Sequence, residues 1–230
     1  MTKKVAILQS NYIPWKGYFD LIAAVDEFII YDDVQYTKND WRNRNILKTP
    51  TGPLWLTVPT GTNIRQRIRD VSIDTPRWQV KHWKTLDQYY RKAPYFSEIA
   101  RWLEPLYMEE TYSNLSAMNR RFIEAICAYL GIVTTISNSW DYTLTGDKTE
   151  RLVGLCRQAG AAAYISGPAA RSYLDESAFA AAGLTLVWFN YDGYPVYPQL
   201  YGEFTHQVSV LDLLFMCGKK APDYLRYVRQ

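Results

Sequence analysis

The run Val5-Ala6-Ile7-Leu8 is short and apolar and stops abruptly at Gln9-Ser10-Asn11, the pattern of a strand buried on both faces. Trp15, Tyr18, Phe19, Ile22 and Val25 then recur at helical spacing, and a second apolar run follows at Phe28 to Tyr31. Strand, helix and strand packed into residues 5–31 imply a crossover connection and therefore a parallel pair of strands. That constraint selects an α/β architecture, because a parallel sheet needs helices over both of its faces.

The rest of the chain fits this frame. Arg42 to Lys48 and Leu54 to Val58 flank the turn-forming cluster Thr49-Pro50-Thr51-Gly52-Pro53 and read as a hairpin. Three amphipathic helices are expected next, over Thr75–Lys92, Phe96–Glu109 and Leu115–Leu130, with Thr75-Pro76 starting the first and Gly131 closing the third. The α/β pattern then resumes with a strand near Val133–Ile136, a helix over Lys148–Gln158, a strand at Ala163–Ser166, a helix over Glu176–Ala182 and a strand at Leu184–Phe189. A core helix over Ser209 to Cys217 ends at Gly218. The expectation is one α/β domain over residues 1–230, a three-layer and mainly parallel sheet, with a helical insert at about 75–131 between its two halves.

Composition narrows the function classes. With 48% apolar and 21% charged residues the chain is a folded globular protein, and a net charge of +3 gives no electrostatic case for nucleic acid. Cys127, Cys156 and Cys217 are widely spaced among apolar neighbours, as buried free thiols of a reducing compartment would be, and no Cys/His spacing points to a metal. The start at Met-Thr-Lys-Lys has no signal-peptide pattern, and no apolar run approaches the ~20 residues of a spanning helix. A cytoplasmic protein without membrane insertion is expected.

Candidate chemistry collects where strands end, which is where open α/β sheets bind ligands. The loop after the first strand offers Gln9, Asn11, Tyr12, Trp15 and Tyr18. The second strand runs into Asp32, Asp33 and Tyr36; adjacent carboxylates on an extended chain point apart, so they do not make an acid/base pair. Arg42 and Arg44 alternate in the expected hairpin strand among Trp41, Asn43 and Asn45, and guanidiniums on one face suit phosphate oxygens. Arg65, Arg67 and Arg69 repeat the alternation in a more polar setting. An edge strand kept soluble by its charges has the same pattern. Ser166-Gly167-Pro168 opens a helix after a strand and could face an anion. Tyr191 and Gln199 follow the last strand and are expected to share the cleft of the first loop. Only His82 and His206 can supply a histidine base, and no GxSxG, GxxxxGK[ST] or GxGxxG motif is present.

The stretches AILQSNYIPWKGYFDLIAAVDEFIIYDDVQYTKNDWRNRN, KHWKTLDQYYRKAPYF, YISGPAARSYLD, YPQLYGEF and SVLDLLF occur in order along nearly the whole chain. In these the chain resembles the WbqC-like family of bacterial proteins, encoded among genes for surface polysaccharides such as the O-antigen of lipopolysaccharide. Gln9, Asn11, Tyr12, Pro14, Trp15, Gly17, Tyr18, Asp32, Asp33, Trp41, Arg42, Asn43 and Arg44 stand at motif positions, and His82 and Lys84 stand in the second motif. The family pattern asks for no histidine at position 206, which ranks His206 behind His82.

The resemblance implies sugar-nucleotide tailoring, with acyl or aminoacyl transfer to the amine of a nucleotide-linked aminodeoxysugar as the expected step. The arginines would hold the diphosphate and the aromatic residues the sugar and base. Asp32 or Asp33 would hold a hydroxyl or ammonium, and His82 would be the base with Asp33 beside it as a second catalytic candidate. The partners are then a nucleotide sugar and an activated acyl or aminoacyl donor, with nucleic acid entering only if that donor is a tRNA. No tightly bound cofactor is expected. One alternative is an ATP- and magnesium-dependent amide-forming ligase, although the paired histidines of adenylyl-transferring folds are absent. Another is a non-catalytic glycan or nucleic-acid binding module using the WRNRN surface.

Overall fold

The computed structural model describes residues 2–75 and 77–228. In chain order the first half holds β1 (Lys4–Leu8), α1 (Lys16–Ala23), β2 (Glu27–Ile30), β3 (Arg44–Thr49), β4 (Gly52–Thr57), α2 (Arg77–Tyr90), α3 (Phe96–Met108) and α4 (Leu115–Leu130). The second half holds β5 (Thr135–Asn138), α5 (Lys148–Gln158), β6 (Ala163–Ser166), α6 (Glu176–Ala181), β7 (Thr185–Trp188) and α7 (Val210–Cys217).

Five strands form one parallel sheet in the order β5-β2-β1-β6-β7, with Val5 opposite Glu27 and Lys4 opposite Ala163. The alternation of side chains along each strand divides two apolar cores. Ala6, Phe28, Ile30 and Ile165 face α1, α4 and α7, together with α2 and α3. Val5, Ile7, Ile29 and Tyr164 face α5 and α6, chiefly Leu155, Cys156 and Phe179. Helices over both faces make the three-layer α/β fold. The chain moves outward from β1 through β2 to β5 and then returns to place β6 on the other side of β1. The strand order therefore reverses between β1 and β6, the point at which such sheets open a crevice.

Most elements stand where the hydrophobic periodicity puts them, and the departures have local causes. The strand expected over Val133–Ile136 begins two residues later because Thr134 turns its hydroxyl onto the carbonyls of Ile22 and Val25, leaving Val133 97% exposed. The hairpin strand begins at Arg44, not Arg42, so Arg42 lies in a turn and the two arginines do not share a strand face. Pro76, half of the expected Thr75-Pro76 helix start, lies outside the described residues. α4 opens on Asn114, whose side chain accepts from the Ala117 amide, and closes on Gly131 at φ +74°, a left-handed turn that glycine adopts without strain. Cys127, Cys156 and Cys217 are buried free thiols, and among the described residues no helix is long and apolar enough to cross a membrane.

Just past β2, Asp32 is completely buried and is the junction of three segments. Its Oδ1 accepts from the Ser10 amide at 2.8 Å, and its Oδ2 accepts from the Ser10 hydroxyl at 2.7 Å and from the Ser116 hydroxyl of α4. Asn119 of α4 donates to Ser10 Oγ at 3.1 Å and to the Arg42 carbonyl at 2.8 Å, which extends the cluster to the hairpin. Burial pushes the Asp32 carboxyl above the usual range, against the hydrogen bonds from Ser10 and Ser116. Replacing Asp32 by alanine strands buried donors on two segments. We expect Asp32→Ala to lose about 3 kcal/mol of unfolding free energy in urea titrations. An unchanged midpoint would mean that Ser10 and Ser116 find other partners.

Candidate functional site

A cleft of about 450 Å³ opens beside the loop that follows β1. Its walls come from three places: Asn11 and Trp15 on the loop, Trp41 and Asn45 at the hairpin, and His206 and Val208 just before α7. The loop is held tightly. Ile13 has φ +37°, a strained value for a β-branched residue. It is fixed by the Ser209 hydroxyl donating to the Ile13 carbonyl at 2.7 Å and by the Val210 amide donating to the Pro14 carbonyl at 2.9 Å. On the other side the Tyr12 amide donates to the Trp41 carbonyl and Asn45 Nδ2 donates to the Tyr12 carbonyl.

The aromatic walls follow from local sequence. A Cβ on Gly17 would lie 2.3 Å from Trp15 Cζ2, so the indole can fold over the first turn of α1 only because residue 17 is glycine. In that pose Trp15 meets Tyr191 at 5.2 Å and Tyr194 at 5.9 Å between ring centroids. Tyr191 in turn would be 3.6 Å from a Cβ on Gly167, so the loops after β1, β6 and β7 converge here as the strand order requires. Trp41 is 43% exposed and lies 5.4 Å from Trp55, with the Arg44 guanidinium 4.1 Å from the Trp55 centroid. The Asn11 carbonyl oxygen is taken by Arg42, which leaves the Asn11 NH₂ for a ligand.

His206 is the titratable group on this cleft. Its Nδ1 is buried with no hydrogen-bond partner, which leaves Nε2 as the nitrogen open to a ligand. Burial, and then the charge of Lys16, hold His206 below the ordinary imidazole range, so the ring is neutral at pH 7. Lys16 is itself almost fully buried. Its Nζ donates to the Pro195 carbonyl at 3.0 Å and lies about 5 Å from the ring centroids of Tyr194 and Tyr197. Burial lowers it to about 8.

The structure thus gathers Asn11, Trp15 and Trp41 of the expected site on one cleft, with Arg42 and Tyr191 directly behind them. Gln9 is half-buried and its carbonyl accepts from the Tyr18 hydroxyl at 3.0 Å. Others are core groups. Tyr12, Tyr18, Tyr36, Asp32, Asn43 and Ser166 are buried, Tyr36 on the Thr60 hydroxyl and Asn43 on the Val58 carbonyl. Gln199 binds Lys48 and Asp212 in a separate polar cluster. Lys84 stands on the exposed face of α2 with Arg77 and Lys81, away from the cleft. Asp33 is tied to Arg67, Arg69 and Ser139.

His82 differs from what the motif implies. It is 3% exposed, its Nδ1 is 2.9 Å from the Tyr12 hydroxyl, and it bonds the Thr57 backbone. The Tyr12 hydroxyl also meets that of Tyr107 at 2.6 Å. Burial drives His82 down to about 4, a neutral core histidine that lines none of the clefts described here. Lys16, Asn45 and Val208 are not among the residues the sequence points to, and His206 ranks there behind His82. Lys16 had a signal, since it sits between Trp15 and Gly17 in an aromatic turn, whereas His206 had none in its own neighbourhood.

Fold and cleft together define a doubly wound α/β protein with an aromatic-walled cleft at the carboxyl edge of its parallel sheet. The chain belongs to the WbqC-like protein family, whose family model matches residues 9–224. A protein of Mycobacterium tuberculosis (strain ATCC 25618 / H37Rv) described as "Uncharacterized protein Rv1507c" is 59% identical over 230 residues, covering 99% of this chain and 100% of the relative. No solved structure matches the chain.

Two titrations separate the histidines. The His82 value is depressed in the folded state, so its contribution is intact above pH ~6.5 and is lost as pH falls through about 4. Unfolding free energy should therefore fall by about 3 kcal/mol more between pH 7 and pH 4 in the wild type than in His82→Gln. Equal slopes would place the pH dependence elsewhere. For His206, proton NMR of the ring should show a titration below the ordinary range that moves upward in Lys16→Met. No movement would remove Lys16 as a contributor and leave burial as the cause.

Proposed function

We propose that this protein is a transferase of bacterial surface glycan biosynthesis that moves an acyl or aminoacyl group onto the amine of a nucleotide-linked aminodeoxysugar, with His206 in place of His82 as the base. The observation that carries the reading is a neutral histidine on the wall of a cleft built from two tryptophans and a free amide. Apolar sugar faces suit indole walls, and a hydroxyl suits the Asn11 NH₂. A second cleft of about 450 Å³ adjoins the first across Ile46, Gln207 and Val208, which gives a second substrate a neighbouring space.

In the proposed step the acceptor amine nitrogen forms a bond to the acyl carbon, and the bond from that carbon to the donor's leaving group breaks. His206 Nε2 takes the proton that the nitrogen must lose. Burial, and after it the Lys16 charge, holds the imidazole below its ordinary range, so it stands unprotonated to accept it. An amine nucleophile with an activated donor needs no covalent enzyme intermediate. Such an acceptor and donor are cytoplasmic metabolites.

The test is turnover of aminodeoxysugar nucleotides with acyl and aminoacyl donors. His206→Gln should lower kcat by about 10²-fold or more while leaving acceptor affinity near wild type. Trp41→Ala should weaken acceptor binding by about 1 kcal/mol. Full turnover in His206→Gln would end its assignment as base, and unchanged affinity in Trp41→Ala would end the sugar-binding assignment of the cleft.

A further inference from the structure

A different cleft, of about 570 Å³, lies at the carboxyl ends of β2 and β5. Arg69, Arg120, Asn138 and Trp140 line it, with Ser116 and Ala117 from the first turn of α4. We propose that this cleft binds a nucleoside phosphate, with the phosphates between Arg69 and Arg120 and the base against Trp140. The site is separate from the His206 cleft, so the proposal stands or falls independently of the acyl-transfer reading.

The arginines are positioned without being used up. Arg120 donates from Nε to Glu124 at 2.7 Å, from Nη1 to Asn138 at 2.6 Å and from Nη2 to the Ile136 carbonyl at 2.8 Å. A guanidinium has five N–H donors, so each terminal nitrogen of Arg120 keeps one. Arg69 pairs with Asp33 at 3.0 Å through Nη1 and approaches Asp70 at 3.8 Å through Nε, which leaves its Nη2 donors unengaged by those carboxylates. Asp33 is held in turn by the Ser139 hydroxyl at 2.8 Å, so the carboxylate clamps Arg69 from beneath. Arg67 ties down the rim carboxylate of Asp70 at 2.7 Å. Two planar forks fixed by such partners lose little side-chain entropy when an anion arrives, and phosphate oxygens match their geometry.

Trp140 supplies the second half of the recognition. It is 39% exposed, on the short turn after β5, with the Arg69 guanidinium 5.5 Å from its ring. An open indole beside fixed guanidiniums offers a stacking face next to a phosphate seat, a pairing that a solvated charge network alone does not need. α4 directs its amino end into the cleft and carries no acidic residue in its first turn, so it adds favourable potential for an anion.

The test is calorimetric titration of the full chain with ADP, UDP, coenzyme A and inorganic pyrophosphate. All four share the phosphate group and should bind, more weakly as salt is raised, with the preferred nucleoside identifying the source. Arg120→Gln should weaken all four by about tenfold or more. Trp140→Ala should weaken the three nucleotides several-fold and spare pyrophosphate, and Lys84→Ala, on the exposed face of α2 outside both clefts, should change none of them. Trp140 is partly exposed, so its variant carries the test should Arg120→Gln fold poorly. Absence of binding for all four at millimolar concentration would overturn the proposal. So would nucleotide binding that survives Trp140→Ala and Arg120→Gln but is lost in Trp41→Ala.

Discussion

The buried carboxylate of Asp32 is the interaction on which the functional end of this molecule depends. A carboxylate out of water is costly unless hydrogen bonds replace its hydration. Here the replacements come from Ser10 on the loop after β1 and Ser116 on α4, while Asn119 carries the link on to the hairpin approach at Arg42. Satisfying one buried group therefore requires three segments far apart in sequence to meet at the carboxyl edge of the sheet. Both clefts lie against this junction, one reached through Asn11 next to Ser10 and the other through Ser116 itself. A polar knot of this kind specifies geometry more than it adds stability.

That rigidity explains how a strained loop persists. The positive φ of Ile13 is held in place by burial and by two hydrogen bonds from the residues opening α7. α7 is buried along its whole length, so its amino end is a fixed reference for the loop. The side chains that reach the cleft are thus carried by backbone held on both sides, by α7 and by the hairpin. Preorganisation of this type lowers the entropy that a bound ligand would otherwise cost.

The fold was legible because its signals are local and periodic. The β-α-β unit at residues 5–31, the three helices before Gly131 and the strand at Ala163–Ser166 all follow from runs of apolar residues at period two or 3.6. Val133 misled because one exposed valine beside a strand is indistinguishable from a core residue by type. The site was half legible. Asn11, Trp15 and Trp41 stand out as polar and aromatic groups at a strand end. Tyr12, Asp32 and His82 share those residue types, but tertiary packing turns them inward, and nothing in the string distinguishes the two fates. Arg42 and Arg44 alternate in sequence as a strand face would, but the strand begins at Arg44, so the alternation carries no shared face. His206 reaches the cleft through contacts more than 150 residues distant in sequence, which no periodicity can encode.

The two histidines show why residue type is a poor guide to chemistry here. Burial depresses both, yet they differ in what surrounds the ring. His82 is buried with Nδ1 on the Tyr12 hydroxyl and a hydrogen bond to the Thr57 backbone, so its ring is tied into the core. His206 has an unpartnered Nδ1, lines a cleft and feels the charge of Lys16. A buried histidine with its hydrogen bonds made is part of the packing, whereas a buried ring nitrogen without a partner is the exception in a folded protein. The Lys16 ammonium donates to the Pro195 carbonyl and lies about 5 Å from the ring centroids of Tyr194 and Tyr197, and its charge adds to burial in holding His206 below the ordinary imidazole range.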